Sequence, residues 1–176
     1  TTYPKGHSRM TTQALLSVAE ARDFLLQRAR TNSQKTENIH LMRARGRVLA
    51  RDLVANRAVP PHDNSAMDGY AVRLADVQAG VTLPVSQRIA AGRAPQPLAV
   101  GTAARIFTGG VIPPGADAVV MQEDTTANSD SVTFNAGVSL GKNVRRAGED
   151  VEKGTVVIPA GTRLGAAHLG LAAAIG

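Results

Sequence analysis

Between residues 57 and 154 glycine and proline recur so often that no stretch sustains a helical period. Proline removes a backbone donor and glycine adds conformational freedom, so helix interiors are disfavoured there while short strands joined by turns are not. The runs left between them are apolar or β-branched: Gly69 to Arg73, Thr82 to Ile89, Ala104 to Thr108, Ala118 to Glu123, Ser131 to Asn135, and a short one from Asn143 to Arg146. Turns are expected at Ala91-Gly92, Gly109-Gly110, Pro113-Pro114-Gly115 and Asn135-Ala136-Gly137. The segment therefore predicts a compact β domain of short strands.

Its flanks differ. Residues 1–16 carry Pro4 and Gly6 without a sustained period and are expected to form a flexible arm. A helix is predicted over 17–30, opened by a Ser17-x-x-Glu20 capping box, with Val18, Ala21, Leu25 and Ala29 on one face beside Phe24. Such an apolar stripe needs something to pack against. Glu37 to Leu41 alternates like a half-buried strand, with Ile39 and Leu41 as core candidates and His40 facing solvent. A short helical turn is expected over Ala44 to Leu49, and strand character over Leu53 to Ala55 and Thr155 to Ile158. Ala166 to Ile175 closes the chain as an alanine-rich helix stopped by Gly176.

Composition narrows the chemistry. At 176 residues, 43% hydrophobic and 19% charged, the chain is long enough to bury a core, and no apolar run approaches a membrane span of about 20 residues. With no secretory block at the N-terminus, a cytoplasmic protein is expected. The absence of cysteine excludes thiolate catalysis and thiolate metal sites, and His7, His40, His62 and His168 lack metal-ligand spacing. A net charge of +6 with only 3% aromatic residues suits an anionic small ligand better than nucleic acid, for which stacking platforms are scarce. A phosphate-loop reading of Gly137 to Lys142 fails, because one residue is missing between the glycines and no Ser or Thr follows the lysine.

Three loops place polar groups at strand ends. The first, Pro60-Pro61-His62-Asp63-Asn64-Ser65-Ala66-Met67-Asp68-Gly69, has side chains that bond their own backbone and hold a tight loop, and it sets the Asp68 carboxylate where loop meets strand. In the second, Thr108 ends an apolar strand beside Gly109 and Gly110, which let a ligand approach the backbone amides. The third, Val144 to Asp150, offers Arg145 and Arg146 to an anion, and Glu149 and Asp150 to a divalent cation or a proton. Any one of them, taken singly, reads as a turn.

In this order, however, Asp63 to Val72, Ile106-Phe107-Thr108-Gly109-Gly110 through Pro114-Gly115-Ala116-Asp117-Ala118-Val119-Val120, and Arg145-Arg146-Ala147-Gly148-Glu149-Asp150 resemble the MoeA-type molybdopterin molybdenumtransferases, from about residue 17 to the end. The resemblance implies an α+β, mainly β chain. A small α/β first domain, residues 31–54 and 155–176, would help form a homodimer and carry an inserted β-rich second domain, 55–154. It implies an enzyme that inserts molybdate into adenylylated molybdopterin (molybdopterin-AMP) with Mg2+ or a similar divalent cation, releasing AMP and completing the molybdenum cofactor. Molybdopterin adenylyltransferase would be its pathway partner. Asp68, Thr108 and Asp150 match the family's functional positions. Asn64, Ser65, Gly109, Arg145 and Arg146 are then expected to contact the substrate, and Asp68 and Asp150 to hold the metal.

Gly110 stands where the family usually has alanine, and His62 where it usually has an aromatic residue. Family members continue for roughly as many residues again, through an α/β domain with its own glycine-rich loops. This chain is accordingly expected to supply half an active site and to be inactive alone, its first helix packing on that further domain. Relatives of the family also act as peptide-binding scaffolds, which is the alternative. Retention of Asp68, Thr108 and Asp150 favours the enzyme, since a scaffold gains nothing from clustered acids.

Overall fold

The computed structural model describes residues 15–31 and 35–176. The chain divides into two compact units, Thr1–Asn38 and Ile39–Gly176. In the first, α1 spans Val18–Thr31. Its capping box forms: the backbone N–H and Oγ of Ser17 donate to Glu20 Oε2 at 2.8 and 2.7 Å, and the Glu20 N–H returns to Ser17 Oγ at 3.3 Å. Val18, Phe24 and Leu25 are 88%, 55% and 65% exposed, so within this unit nothing buries the apolar stripe read from the sequence. The expected arm lies mostly outside the described residues.

The second unit is built on a six-stranded sheet of order β6-β3-β5-β4-β8-β7. In chain order these are β3 (Gly69–Val72), β4 (Thr82–Ile89), β5 (Ala103–Ile106), β6 (Ala118–Met121), β7 (Thr125–Ala127) and β8 (Ser131–Phe134). Strand β3 runs antiparallel to both β5 and β6, and all four of its residues are buried. The cause is cover on both faces. Tyr70 and Val72 join Val77, Leu83, Ala103, Ala118, Val120, Val132 and Phe134, whereas Ala71 joins Ile89, Leu98, Ala104, Ile106 and Val119. Tyr70 meets Phe134 edge to face, with ring centroids 6.4 Å apart.

Strand β4 serves two partners. Its first half pairs antiparallel with β8, from Thr82↔Thr133 to Pro84↔Ser131, and its second half pairs parallel with β5. The parallel register runs Val85↔Ala103, then Gln87↔Ala104, Arg88↔Arg105 and Ile89↔Ile106. Ser86 is therefore an extra residue, a bulge that shifts everything after it by one.

A third cluster, Ala44, Ile158 and Leu164, lies under the short ladder of β1 (Leu53–Val54) with β10 (Val156–Ile158) and beside α2 (Ala166–Ile175). Helix α2 begins where the Gly165 N–H donates to His168 Nδ1 at 2.9 Å, so this histidine, at the third position of the helix, holds its N-terminus.

The strands expected between 69 and 146 are present within one or two residues, and α2 has the bounds expected. Glu37 to Leu41 is the exception: residues 37–40 are irregular and Leu41–Arg43 forms a single 3-10 turn. The reason is local. His40 Nδ1 accepts the Met42 N–H at 3.3 Å, which caps a turn where a strand would need a ladder partner. Ala44 to Leu49 likewise holds only a turn at Arg45-Gly46 and the single bridge Val48↔Arg163. Strand β7 has no counterpart in the expectation.

Candidate functional site

The three loops are assembled by backbone pairing. Asn64 and Ser65 form β2, which lies antiparallel to β9 (Val144–Arg145) with Asn64↔Arg145 and Ser65↔Val144. Asn64 also bridges Val111 in the second loop. The Ser65 N–H donates to Gly110 O at 2.9 Å, the Gly109 N–H to Ser65 O at 2.9 Å, and the Ile112 N–H to Asp63 O at 3.0 Å. A two-residue strand thus has a neighbour on each side, and it ties loop one to loops two and three. Ser65 is 1% exposed and its Oγ donates to Met67 O, closing the turn that leads to Asp68.

Asp68 and Thr108 are in direct contact. The Thr108 N–H and Oγ1 both donate to Asp68 Oδ1, at 2.8 and 2.7 Å. Gly109, at φ +79°, allows the chain to turn directly after Thr108 and aim both donors at the acid. The backbone bond, then the hydroxyl bond, hold the Asp68 carboxyl below its usual range, with the charge of Arg105 adding to them. Both bonds fall on Oδ1; Oδ2 has no donor among the described residues.

Asp150 lies in the third loop. Its N–H donates to Val59 O at 2.9 Å and the Gly148 N–H donates to Pro60 O at 2.9 Å, so loop three runs alongside the approach to loop one. Arg145 donates to Asp150 Oδ1 at 2.7 Å and to Glu149 Oε1 at 3.2 Å, and these acids hold its guanidinium above its ordinary pKa. Arg146 donates to Asp63 Oδ2 at 2.6 Å. Both arginines expected to clamp an anion are thus already paired with acids of this chain. Asp63 also accepts the Ala147 N–H at 2.8 Å, a joining role that the sequence reading did not give it.

Among the described residues no three His, Asp or Glu side chains converge into a metal cage. Asp68 and Asp150 each retain one carboxylate oxygen, Oδ2, with no donor among the described residues, the ligand type that a hydrated divalent cation takes. Asn64 Oδ1 is buried and unpartnered, which leaves one acceptor at the junction of the loops.

The site carries a pH signature. The Asp63 carboxyl is held below its usual range chiefly by the Ala147 N–H and then by Arg146, as Asp68 is by Thr108. A folded-state pKa below the unfolded one adds stability that is fully present above the unfolded value, about pH 4, and is lost as pH falls through the folded value. The urea midpoint of the chain is expected to fall between about pH 5 and pH 2, and to fall less steeply in Asp63→Asn. Equal slopes for the two proteins would remove Asp63 from that account.

Sequence reasoning also passed over Arg88, Arg105 and Phe107. The guanidiniums of Arg88 and Arg105 lie over the Phe107 ring at 4.6 and 4.7 Å from its centroid. The alternation Arg105-Ile106-Phe107 immediately before Thr108, with Ile106 buried and its neighbours not, was the available signal.

Residues 16–176 match the MoeA N-terminal region (domain I and II) family. The chain is 43% identical over 164 residues to a molybdopterin molybdenumtransferase of Haemophilus influenzae, covering 92% of this chain and 40% of that one. It is 47% identical over 147 residues to molybdopterin molybdenumtransferase 2 of Mycobacterium tuberculosis, covering 78% and 36%. Among solved structures it resembles a molybdopterin biosynthesis MoeA protein from Pyrococcus horikoshii OT3, with a TM-score of 0.74 and 39% identity over 81% of this chain and 39% of that one. The chain spans about two fifths of the length of these relatives.

Proposed function

Because this chain belongs to the MoeA N-terminal region family, we propose that it is the front part of a molybdopterin molybdenumtransferase. In this reading the whole polypeptide inserts molybdate into adenylylated molybdopterin, releases AMP and completes the molybdenum cofactor. The observation that supports it most is the joining of the three loops through Asn64 and Ser65, with Asp68 bonded to Thr108.

Each residue has a task that its geometry permits. Thr108 orients the Asp68 carboxylate through two donors, so Asp68 remains ionised and keeps Oδ2 free of protein donors among the described residues. Asp68 and Asp150 are the groups that would hold Mg2+, which when bound would neutralise phosphate charge and favour departure of AMP. Arg145 and Arg146 steady loop three through Asp150, Glu149 and Asp63, and so position Asp150. Asn64 and Ser65 hold the three loops together through β2, and Gly109 shapes the turn after Thr108. In the same reading the chain pairs with a second copy through residues 31–54 and 155–176, and takes its substrate from molybdopterin adenylyltransferase. The exposed stripe of α1 packs on the remainder of the polypeptide.

The test is molybdate-dependent AMP release from adenylylated molybdopterin. The full-length polypeptide is expected to show it with Mg2+ present, and the 176-residue chain alone is not. A full-length protein without molybdate-dependent release would overturn the transferase reading. Among the described residues no helix is long and apolar enough to cross a membrane.

A further inference from the structure

The end of the central sheet holds a pair of cations in a costly arrangement. Arg88 on β4 and Arg105 on β5 are register partners, and like charges directly opposite one another destabilise a sheet. Neither forms an ion pair with an acid among the described residues. The pairing exists because of the bulge: without Ser86 as an extra residue, Gln87 would face Arg105 and Arg88 would pass to the opposite face.

Instead the two guanidiniums share the Phe107 ring, and Arg105 also lies 5.2 Å from the centroid of Tyr70. Arg105 is fixed further by donating to Gly69 O at 3.1 Å and to Gln122 Oε1 at 2.6 Å. Arg88 is exposed and has no such anchors. The patch adjoins the candidate site, since Gly69 follows Asp68 and Phe107 precedes Thr108. One fixed and one adaptable guanidinium, each stacked on Phe107, offer the forked donors that a phosphate takes.

We propose that Arg88 and Arg105, braced on Phe107, clamp the phosphate of a phosphate-ester ligand beside Asp68. The assignment deepens the transferase reading by giving the substrate's phosphate a place on this chain, in place of the acid-paired Arg145 and Arg146. The clamp needs no turnover to be seen, so binding to it is measured apart from that reading.

The experiment is an NMR titration of the side-chain Nε–H signals of the 176-residue chain with AMP, with pyrophosphate and with adenosine. AMP and pyrophosphate are expected to shift the Arg88 and Arg105 signals and the Thr108 amide, and adenosine is not. Arg88→Gln removes an exposed side chain and is expected to weaken both anions about tenfold, the loss of one charge-assisted contact. Unchanged anion affinity in Arg88→Gln, shifts confined to Arg145 and Arg146, or adenosine binding as tightly as AMP would each overturn the clamp. The first two would leave the AMP-release assay and its conclusion untouched.

Discussion

Asp68→Asn in the full-length polypeptide is expected to lower molybdate-dependent AMP release by about a hundredfold or more, the scale lost when a preorganised charge is removed from a reacting centre. The substitution is a clean one because asparagine keeps an oxygen where Oδ1 stands. That oxygen can still accept the Thr108 N–H and hydroxyl, now at 2.8 and 2.7 Å, so the loop junction should persist. What disappears is the negative charge and with it the capacity of Oδ2 to hold a cation. Thermal unfolding of the variant should therefore match the parent within a few degrees while turnover collapses. A turnover rate equal to the parent's would remove Asp68 from the chemistry.

Gly69→Ala is expected to have the largest effect on stability. A Cβ at Gly69 would overlap the Val120 carbonyl oxygen and come within 2.9 Å of the Val120 carbonyl carbon and 3.1 Å of Met121 Cα. These are backbone atoms of β6, opposite Gly69 in the ladder, so no rotamer change relieves the contact and the two strands must separate. The cost is about 3 kcal/mol or more, as for overpacking against a rigid neighbour. For a domain of this size that corresponds to a fall of about 10 °C in Tm. Because Asp68 is the preceding residue, the shift should also weaken its bonds to Thr108 and reduce turnover of whatever protein remains folded. A Tm within about 2 °C of the parent would show that β6 yields more easily than its buried position implies.

Gly110 repeats the theme in the second loop. A Cβ there would approach Ile106 Cγ1 and Phe107 O at 2.9 Å, so an alanine at this position needs a slightly different turn. The glycine in this sequence is a local fit.

Turn chemistry and apolar runs made most of the fold legible, because those signals act over a few residues. The capping box at Ser17 and the strand from Thr82 to Ile89 were readable for that reason. Glu37 to Leu41 misled, since alternation without a ladder partner does not make a strand and His40 supplied a competing turn. Arg145 and Arg146 were legible as cations, but whether they meet acids of the chain or an anion from outside depends on residues far away, Asp63 among them.

The sequence by itself determined the strand-and-turn character of residues 57–154, the capped first helix, and three loops whose motifs mark the family. These follow from backbone preferences, hydrophobic period and fixed residue spacing, all of them properties of neighbours in the chain. Only the tertiary structure decided that β2 pairs with loops two and three at once, that Asp68 is held by Thr108, and that a single bulge at Ser86 brings Arg88 to the face of Arg105. Each of those depends on register between segments up to about eighty residues apart, as Asn64 and Arg145 are, and a shift of one residue would send the same side chains to the other face.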